Sequence, residues 1–142
     1  MKLLVDTCVW SLSLRRRGNP VFSSEEQQLL TLLSRAIQDF RTAIIGPVRQ
    51  EILSGIRDRG HFAKTQGLLD PFPDEELISA DYEQAARLFN VCRDHGVECG
   101  ATDILICAVA ARKGWAILTS DGGLKRCIEL LQTEGLLNSA PI

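Results

Sequence analysis

The 142-residue sequence lacks any long apolar segment, which limits the kind of protein it encodes. Its longest purely apolar run, Ile104 to Ala111, is far shorter than the roughly 20 residues a membrane-spanning helix needs. An acid, Asp6, follows only three apolar residues near the start, which is too early for a signal peptide. We therefore expect a cytoplasmic protein with no membrane partner.

Zinc-type cysteine spacing is also missing, and histidine is scarce. The chain has 2 histidines and 5 cysteines, and no two cysteines are close enough in sequence to form a zinc knuckle. The cysteine count is odd and Cys107 lies inside an apolar run, so we expect reduced thiols that act as small hydrophobic side chains. No chemistry is assigned to them.

A strong positive charge is absent as well. The net charge of −2 argues against a protein that holds nucleic acid through a global positive field. The densest basic run is Arg15, Arg16 and Arg17, which is typical of a solvated loop unless an active site lies nearby. With 45% hydrophobic and 24% charged residues and no internal repeat, the composition indicates a single globular domain over residues 1–142.

Short apolar runs alternate with helical patterns along the chain. Strands are predicted at Lys2–Val5, Thr42–Ile45, Leu77–Ile78 and Trp115–Thr119. Helices are predicted from a capping box at Ser24 and Gln27, from Pro47 towards Gly55, from an Asp81 cap to Gly96, from Gly100 to Gly114, and after Gly122 and Gly123. This alternation predicts an α/β fold, a three-layer α/β/α sandwich with a mostly parallel central sheet.

Four acids fall where such a sheet would gather them. Asp6 follows the first strand, Asp121 comes just after the last, Asp103 begins a buried helix, and Glu51 lies about one turn into another helix. Ligands of parallel sheets collect at the carboxyl ends of the strands, so the four carboxylates are expected to converge there. Asp103, Asp121 and Glu51 each have an ordinary structural explanation taken alone, as a cap, a turn residue and a solvated helix residue.

Converging carboxylates repel one another unless a cation neutralises them. Carboxylate oxygens with retained waters are the ligands that Mg²⁺ or Mn²⁺ prefers. The expected use of such a site is phosphodiester hydrolysis. A phosphoacceptor domain fits less well, because it would have paired acids after the first strand and a lysine after the last, where this chain has Asp6-Thr7 and Thr119-Ser120-Asp121. An Asp-x-Asp phosphatase also fits less well, because Cys8 stands where the second acid would be.

Four sequence blocks together resemble a PIN domain, and more narrowly a VapC-type toxin of a toxin–antitoxin pair. They are Leu3 to Trp10 (LLVDTCVW), Glu51 to Gly55 (EILSG), Gly100 to Ala108 (GATDILICA) and Leu118 to Asp121 (LTSD). Each block alone is weak, but the set covers essentially the whole chain in the expected order.

The resemblance implies a metal-dependent endoribonuclease in which Asp6, Glu51, Asp103 and Asp121 hold Mg²⁺ or Mn²⁺. It implies that the hydroxyls of Thr7 and Thr119 order the carboxylates or metal waters, and that the chain forms a homodimer silenced by a small antitoxin. The candidate RNA contacts are Arg15, Arg16, Arg17 and Arg49.

The sequence departs from the family at the last block, where Asp-x-Asp-Phe is common but Asp121-Gly122-Gly123-Leu124 stands here. The missing acid at Gly123 puts a second metal ion in doubt rather than the first. The alternative hypothesis is a catalytically degenerate domain that works by binding a protein or RNA. The Arg-rich stretch from Leu12 to Phe22 is expected to be a loop that faces RNA or the antitoxin.

Overall fold

The computed structural model describes residues 1–14 and 21–138. Its centre is a sheet of four short strands, β1 (Leu3–Val5), β2 (Thr42–Ile45), β3 (Asp74–Glu75) and β4 (Ala116–Leu118), in the order β3-β2-β1-β4. Every pairing is parallel, with Leu4 beside Ala43 of β2 and Ile117 of β4. The predicted parallel sheet is therefore confirmed, as is the α/β/α fold class.

The strand order places a topological switch point between β1 and β4. The chain moves outward from β1 through β2 to β3, then returns to the other side of β1 to form β4. Parallel sheets of this kind open a crevice at the carboxyl ends of the two strands that flank the switch. Asp6 follows β1 and Thr119 follows β4, so both residues line this crevice.

Seven helices connect or flank the strands in the described residues. They are α1 (Thr7–Leu14), α2 (Ser24–Gln38), α3 (Gly46–Ser54), α4 (Arg59–Leu69), α5 (Ser79–Asp94), α6 (Ala101–Lys113) and α7 (Gly122–Thr133). One group packs around α1 and α3, and α5, α6 and α7 pack against one another. The predicted α6 is confirmed as the most buried helix, and it ends at Gly114, whose φ of 68° suits glycine.

Two predicted helix starts were displaced. The capping box of α2 is formed by Ser23 and Glu26, one residue before the predicted pair, with Ser23 Oγ accepting from Glu26 N at 3.1 Å. Asp81 is not the N-cap of α5, because the helix begins at Ser79 and the carboxylate reaches back to accept from Ile78 N at 3.0 Å. The first error arises because Ser23 and Ser24 offer equivalent capping chemistry, and the second because α5 has the apolar Ile78 at its N-cap, which no sequence pattern marks.

The strand predicted at Leu77–Ile78 was wrong. The third strand is the polar pair Asp74–Glu75, and residues 76–78 lead directly into α5. Arg49 explains the location, because its guanidinium donates to Asp74 Oδ1 at 2.8 Å and to Leu69 O at 3.2 Å, and it also contacts Phe72 O. The contacts that Arg49 makes with residues distant in sequence therefore determine where this strand forms, rather than the apolar content of the segment itself.

Helices α1 and α4 were not predicted. The expected loop from Leu12 to Phe22 is wrong over its first residues, since α1 continues to Leu14, and residues 15–20 lie outside the described part. Buried side chains of α1, including Val9 and Trp10, follow one another without a clear helical period. None of the helices in residues 1–14 and 21–138 is long and apolar enough to cross a bilayer.

Candidate metal and nuclease site

Asp6 is the most firmly held of the four acids. Its side chain lies at the end of β1 with only 4% of the residue exposed, so its charge needs local compensation. Thr7 N donates to Oδ1 at 2.7 Å, and Thr119 Oγ1 donates to Oδ2 at 2.7 Å. The structure thus places the hydroxyl of Thr119 on the carboxylate of Asp6, and both carboxylate oxygens are oriented.

Glu51 is tied to the same strand end from the neighbouring helix α3. Thr7 Oγ1 donates to Glu51 Oε1 at 2.6 Å, while the backbone N–H of Thr7 is bonded to Asp6. A single residue therefore sets the relative orientation of two carboxylates. Helix α3 begins at Gly46 directly after β2, with Pro47 in its first turn, and this short connection brings Glu51 to the edge of the sheet.

Asp121 caps α7 and lies three residues after the end of β4. Its Oδ2 accepts from Leu124 N at 2.8 Å, and its own N–H donates to Thr119 Oγ1 at 3.0 Å. Thr119 consequently links Asp6 and Asp121 across the switch point. The structural explanation of Asp121 as a helix cap and its place in the acidic group hold together, because a cap uses only one carboxylate oxygen.

Asp103 completes the group from the first turn of α6. Burial, followed by the negative charges of Asp6, Asp121 and Glu51 in that order, raises the pKa of Asp103 to about 6. The carboxylates of Asp6, Asp121 and Glu51 therefore lie near enough to Asp103 to act on its charge. Among the described residues, no cation contributes to this shift.

The donor set fits a hard divalent cation, although the side chains do not enclose one as they stand. Within residues 1–14 and 21–138, no three His, Cys, Asp or Glu side chains form a ready cage for a metal ion. Mg²⁺ commonly keeps several waters and binds through only one or two carboxylates, so a closed cage is not required. Burial and then the charges of the other three acids raise the pKa of Asp103, and a bound cation would favour its charged form.

Gly123 occupies the position where the family commonly has a further acid. A Cβ built at Gly123 would lie 3.2 Å from Asp121 Oδ2, closer than most Cβ contacts. A side chain at this position would therefore require the carboxylate of Asp121 to move by a few tenths of an ångström.

Of the four arginines predicted to contact RNA, the structure describes Arg49. The side chain of Arg49 is 22% exposed, and its guanidinium is engaged with Asp74, Leu69 O and Phe72 O, as described above. Arg15, Arg16 and Arg17 lie outside the described residues. A residue that sequence analysis missed is Cys8, whose sulfur lies 3.3 Å from Asp6 Oδ2.

The sequence matches the PIN domain family over residues 3–129, and the chain belongs to that family. No curated protein matches the sequence significantly.

Two solved structures share the fold. FitAcB from Neisseria gonorrhoeae is similar with a TM-score of 0.69 and 20% identity, over 88% of this chain and 91% of that one. VapBC2 from Rickettsia felis, bound to a DNA fragment from their promoter, is similar with a TM-score of 0.64 and 15% identity, over 89% and 92% of the two chains.

Proposed function

We propose that this PIN domain is a metal-dependent endoribonuclease and the toxin of a toxin–antitoxin pair. PIN domains are generally nucleases, which supports hydrolysis of phosphodiesters. The single observation that carries the proposal is the placement of Asp6, Glu51 and Asp121 near enough to Asp103 for their charges to add to burial in raising its pKa. RNA as the substrate rests on the family resemblance of the sequence.

Asp6, Asp103 and Asp121 would hold Mg²⁺ or Mn²⁺, with Glu51 as a further ligand or the group that positions water. When bound, the cation neutralises charge on the attacked phosphate and lowers the pKa of a water. Asp6 is preorganised for this role, because donors fix both of its oxygens before any ligand arrives. Such preorganisation reduces the cost of ordering ligands around the ion.

Glu51 is suited to guide the attacking water. Thr7 engages Oε1 of Glu51, which leaves Oε2 to accept a hydrogen bond from that water. In the reaction, the water oxygen forms a bond to phosphorus and its proton passes to a carboxylate. The bond from phosphorus to the leaving oxygen breaks, and the leaving oxygen takes a proton from solvent.

The proposed partners are an antitoxin and a second copy of the chain. The two similar structures are toxin–antitoxin complexes, which supports an antitoxin partner for this chain. The homodimer rests on the resemblance alone, and the proposed cytoplasmic location rests on the short apolar runs and the early acid Asp6 of the sequence. Sedimentation of the purified protein tests the homodimer, since a monomeric mass at micromolar concentration would contradict it.

Cleavage of transfer and ribosomal RNA tests the function. We expect the wild-type protein to cut RNA with Mg²⁺ or Mn²⁺, to stop when the metal is chelated, and to lose activity in Asp121→Asn. The matched control is Asp58→Asn, because Asp58 caps α4 as Asp121 caps α7, with its Oδ2 accepting from His61 N at 2.7 Å. Asparagine also caps helices, so both variants keep the cap and differ only in where charge is lost.

The result also decides between the nuclease and the degenerate domain. Loss of cleavage in Asp121→Asn but not in Asp58→Asn would support the nuclease. Binding of RNA without cleavage by the wild-type protein would instead support the alternative, a module that binds RNA and has lost catalysis. Equal activity in both variants would contradict the assigned acids.

A further inference from the structure

Cys8 differs from the other four cysteines of the chain. Cys92, Cys99, Cys107 and Cys127 are all buried in the core, and burial raises the pKa of Cys92 to about 11. Those four thiols fit the predicted use as small hydrophobic side chains. Cys8 is instead half-buried in the first turn of α1, two residues after Asp6, at the acidic site.

The sulfur of Cys8 makes polar contacts on both sides of the switch point. It donates to Asp6 Oδ2 at 3.3 Å, and it accepts from Ser120 Oγ at 3.3 Å and from Ser120 N at 3.5 Å. A thiol has one proton to donate and lone pairs to accept with, so all three contacts are compatible at once. They form a directed chain from Ser120 through Cys8 to Asp6.

This line of hydrogen bonds joins two segments that carry different acids. Asp6 terminates β1, while Ser120 lies between Thr119 and Asp121 after β4. Thr119 forms one bridge between the segments through its contacts with Asp6 Oδ2 and Asp121 N, and Cys8 forms a second. Both bridges end on Asp6 Oδ2, and Cys8 Sγ also lies 3.6 Å from Thr119 Oγ1, so the two belong to one polar network between the segments.

We propose that Cys8 is a positioning residue that holds Asp6 and the Asp121 segment at the spacing a divalent cation requires. The inference rests on the proposed metal-dependent function. Its thiol is not a ligand in this account, because Mg²⁺ and Mn²⁺ prefer oxygen donors over soft sulfur. Groups that orient metal ligands are commonly worth about 10- to 100-fold in metal affinity or activity when removed.

Two substitutions separate hydrogen bonding from volume. Cys8→Val keeps a similar volume but removes both the donor and the acceptor, whereas Cys8→Ser keeps both on a shorter bond. We expect Cys8→Val to weaken Mn²⁺ binding, measured by calorimetry, by about 10-fold or more. Cys8→Ser should recover most of that affinity. The kcat for RNA cleavage should follow Mn²⁺ affinity while KM for RNA stays unchanged, since Cys8 acts on Asp6 and not on RNA.

A merely structural role predicts a different pattern. In that case Cys8→Val would lower the unfolding temperature without metal but leave Mn²⁺ affinity at the wild-type value, which would overturn the proposal. If Cys8→Val does not fold, Ser120→Ala is the alternative, because it removes the hydrogen bond that the exposed Ser120 hydroxyl donates to Cys8 Sγ. A few-fold loss of Mn²⁺ affinity in Ser120→Ala supports the proposal, and unchanged affinity opposes it.

The same titrations distinguish this inference from the proposed function. Mn²⁺ binding and RNA cleavage by the wild-type protein, with equal Mn²⁺ affinity in Cys8→Val, would remove only the role of Cys8. Failure of the wild-type protein to bind Mn²⁺ and to cleave RNA would overturn the proposed function, and the role of Cys8 with it.

Discussion

Two aspartates occupy the same helical position and have opposite environments. Asp81 is the third residue of α5, and Asp103 is the third residue of α6. Burial alone would raise the pKa of Asp81, but hydrogen bonds from Arg112 and Ile78 N, with the positive charges of Arg112 and Lys113, lower it overall. Asp103 has three acids near it instead, and its pKa is raised to about 6.

The difference shows what makes a buried carboxylate structural or functional. Arg112 donates to Asp81 Oδ1 at 2.6 Å and to Oδ2 at 2.9 Å, so the charge of Asp81 is matched within the protein. Among the described residues, no cation contributes to the pKa shift of Asp103 in this way. We infer that the Asp81–Arg112 pair stabilises the junction of α5 and α6. We also infer that the four-acid site, formed by Asp6, Glu51, Asp103 and Asp121, lowers the stability of the fold but allows a cation to bind.

The largest expected effect on stability comes from breaking the compensated pair. Arg112→Met leaves the carboxylate of Asp81 buried without its partner and should lower the free energy of unfolding by about 3 kcal/mol. Urea unfolding measures this loss. Mn²⁺ affinity in Arg112→Met should equal that of the wild type, and a loss of stability below about 0.5 kcal/mol would show that the pair is not a structural anchor.

Binding of a metal ion to the four-acid site should raise the stability of the fold. Mn²⁺ at about 100 times its dissociation constant should stabilise the fold by about 2.7 kcal/mol, because it binds only the folded state. Thermal unfolding with and without Mn²⁺ measures the shift. The shift should remain in Arg112→Met and disappear in Asp6→Asn; an equal shift in Asp6→Asn would mean that the ion binds elsewhere.

The pH dependence of stability should reveal the compensated aspartate. The folded pKa of Asp81 lies below its ordinary value of 3.8, so the unfolded state binds the proton more readily. The stability it contributes is present above pH 3.8 and is lost as pH falls through the folded pKa. Urea unfolding from pH 5 downward should therefore show that the free energy of unfolding falls less with decreasing pH in Arg112→Met than in the wild type. Parallel curves would contradict the assignment.

The smallest expected effect is on the orientation of Glu51. Thr7→Val removes the hydroxyl that donates to Glu51 Oε1, a bond worth about 1 kcal/mol, and should lower kcat about five-fold. Thr31→Val is the matched control, since Thr31 Oγ1 donates only to Gln27 O within α2. Equal kcat values for the two variants would show that Thr7 does not orient a catalytic group.

The site could be predicted from the sequence because it depends on where strands end. Asp6 and Asp121 follow strands that short apolar runs indicate, and parallel pairing then brings those ends to one edge. The helix buried next to them was also recognisable, since Ile104 to Ala111 is apolar on all sides. The positions of all four acids relative to the predicted strands and helices indicated that they converge, although the position of any single acid did not.

What the sequence did not reveal depends on contacts between distant residues. The pair Asp74–Glu75 has no strand-like character, and Arg49 fixes its place from another helix. Cys8 looks like any small apolar residue until β4 brings Ser120 beside it. The cap Asp58 was a usable signal for α4, but the glycines at 60 and 67 weaken the helical pattern that follows it.

The most direct test of the four-acid site is calorimetric titration of Mn²⁺ into the purified, partner-free protein and into its Asp103→Asn variant. Asp94→Asn, at the exposed end of α5, is the control for loss of one negative charge. We predict that the wild type and Asp94→Asn bind Mn²⁺ with equal affinity and that binding disappears in Asp103→Asn. Absence of binding to the wild type at millimolar Mn²⁺, even with a short RNA added, would contradict the account.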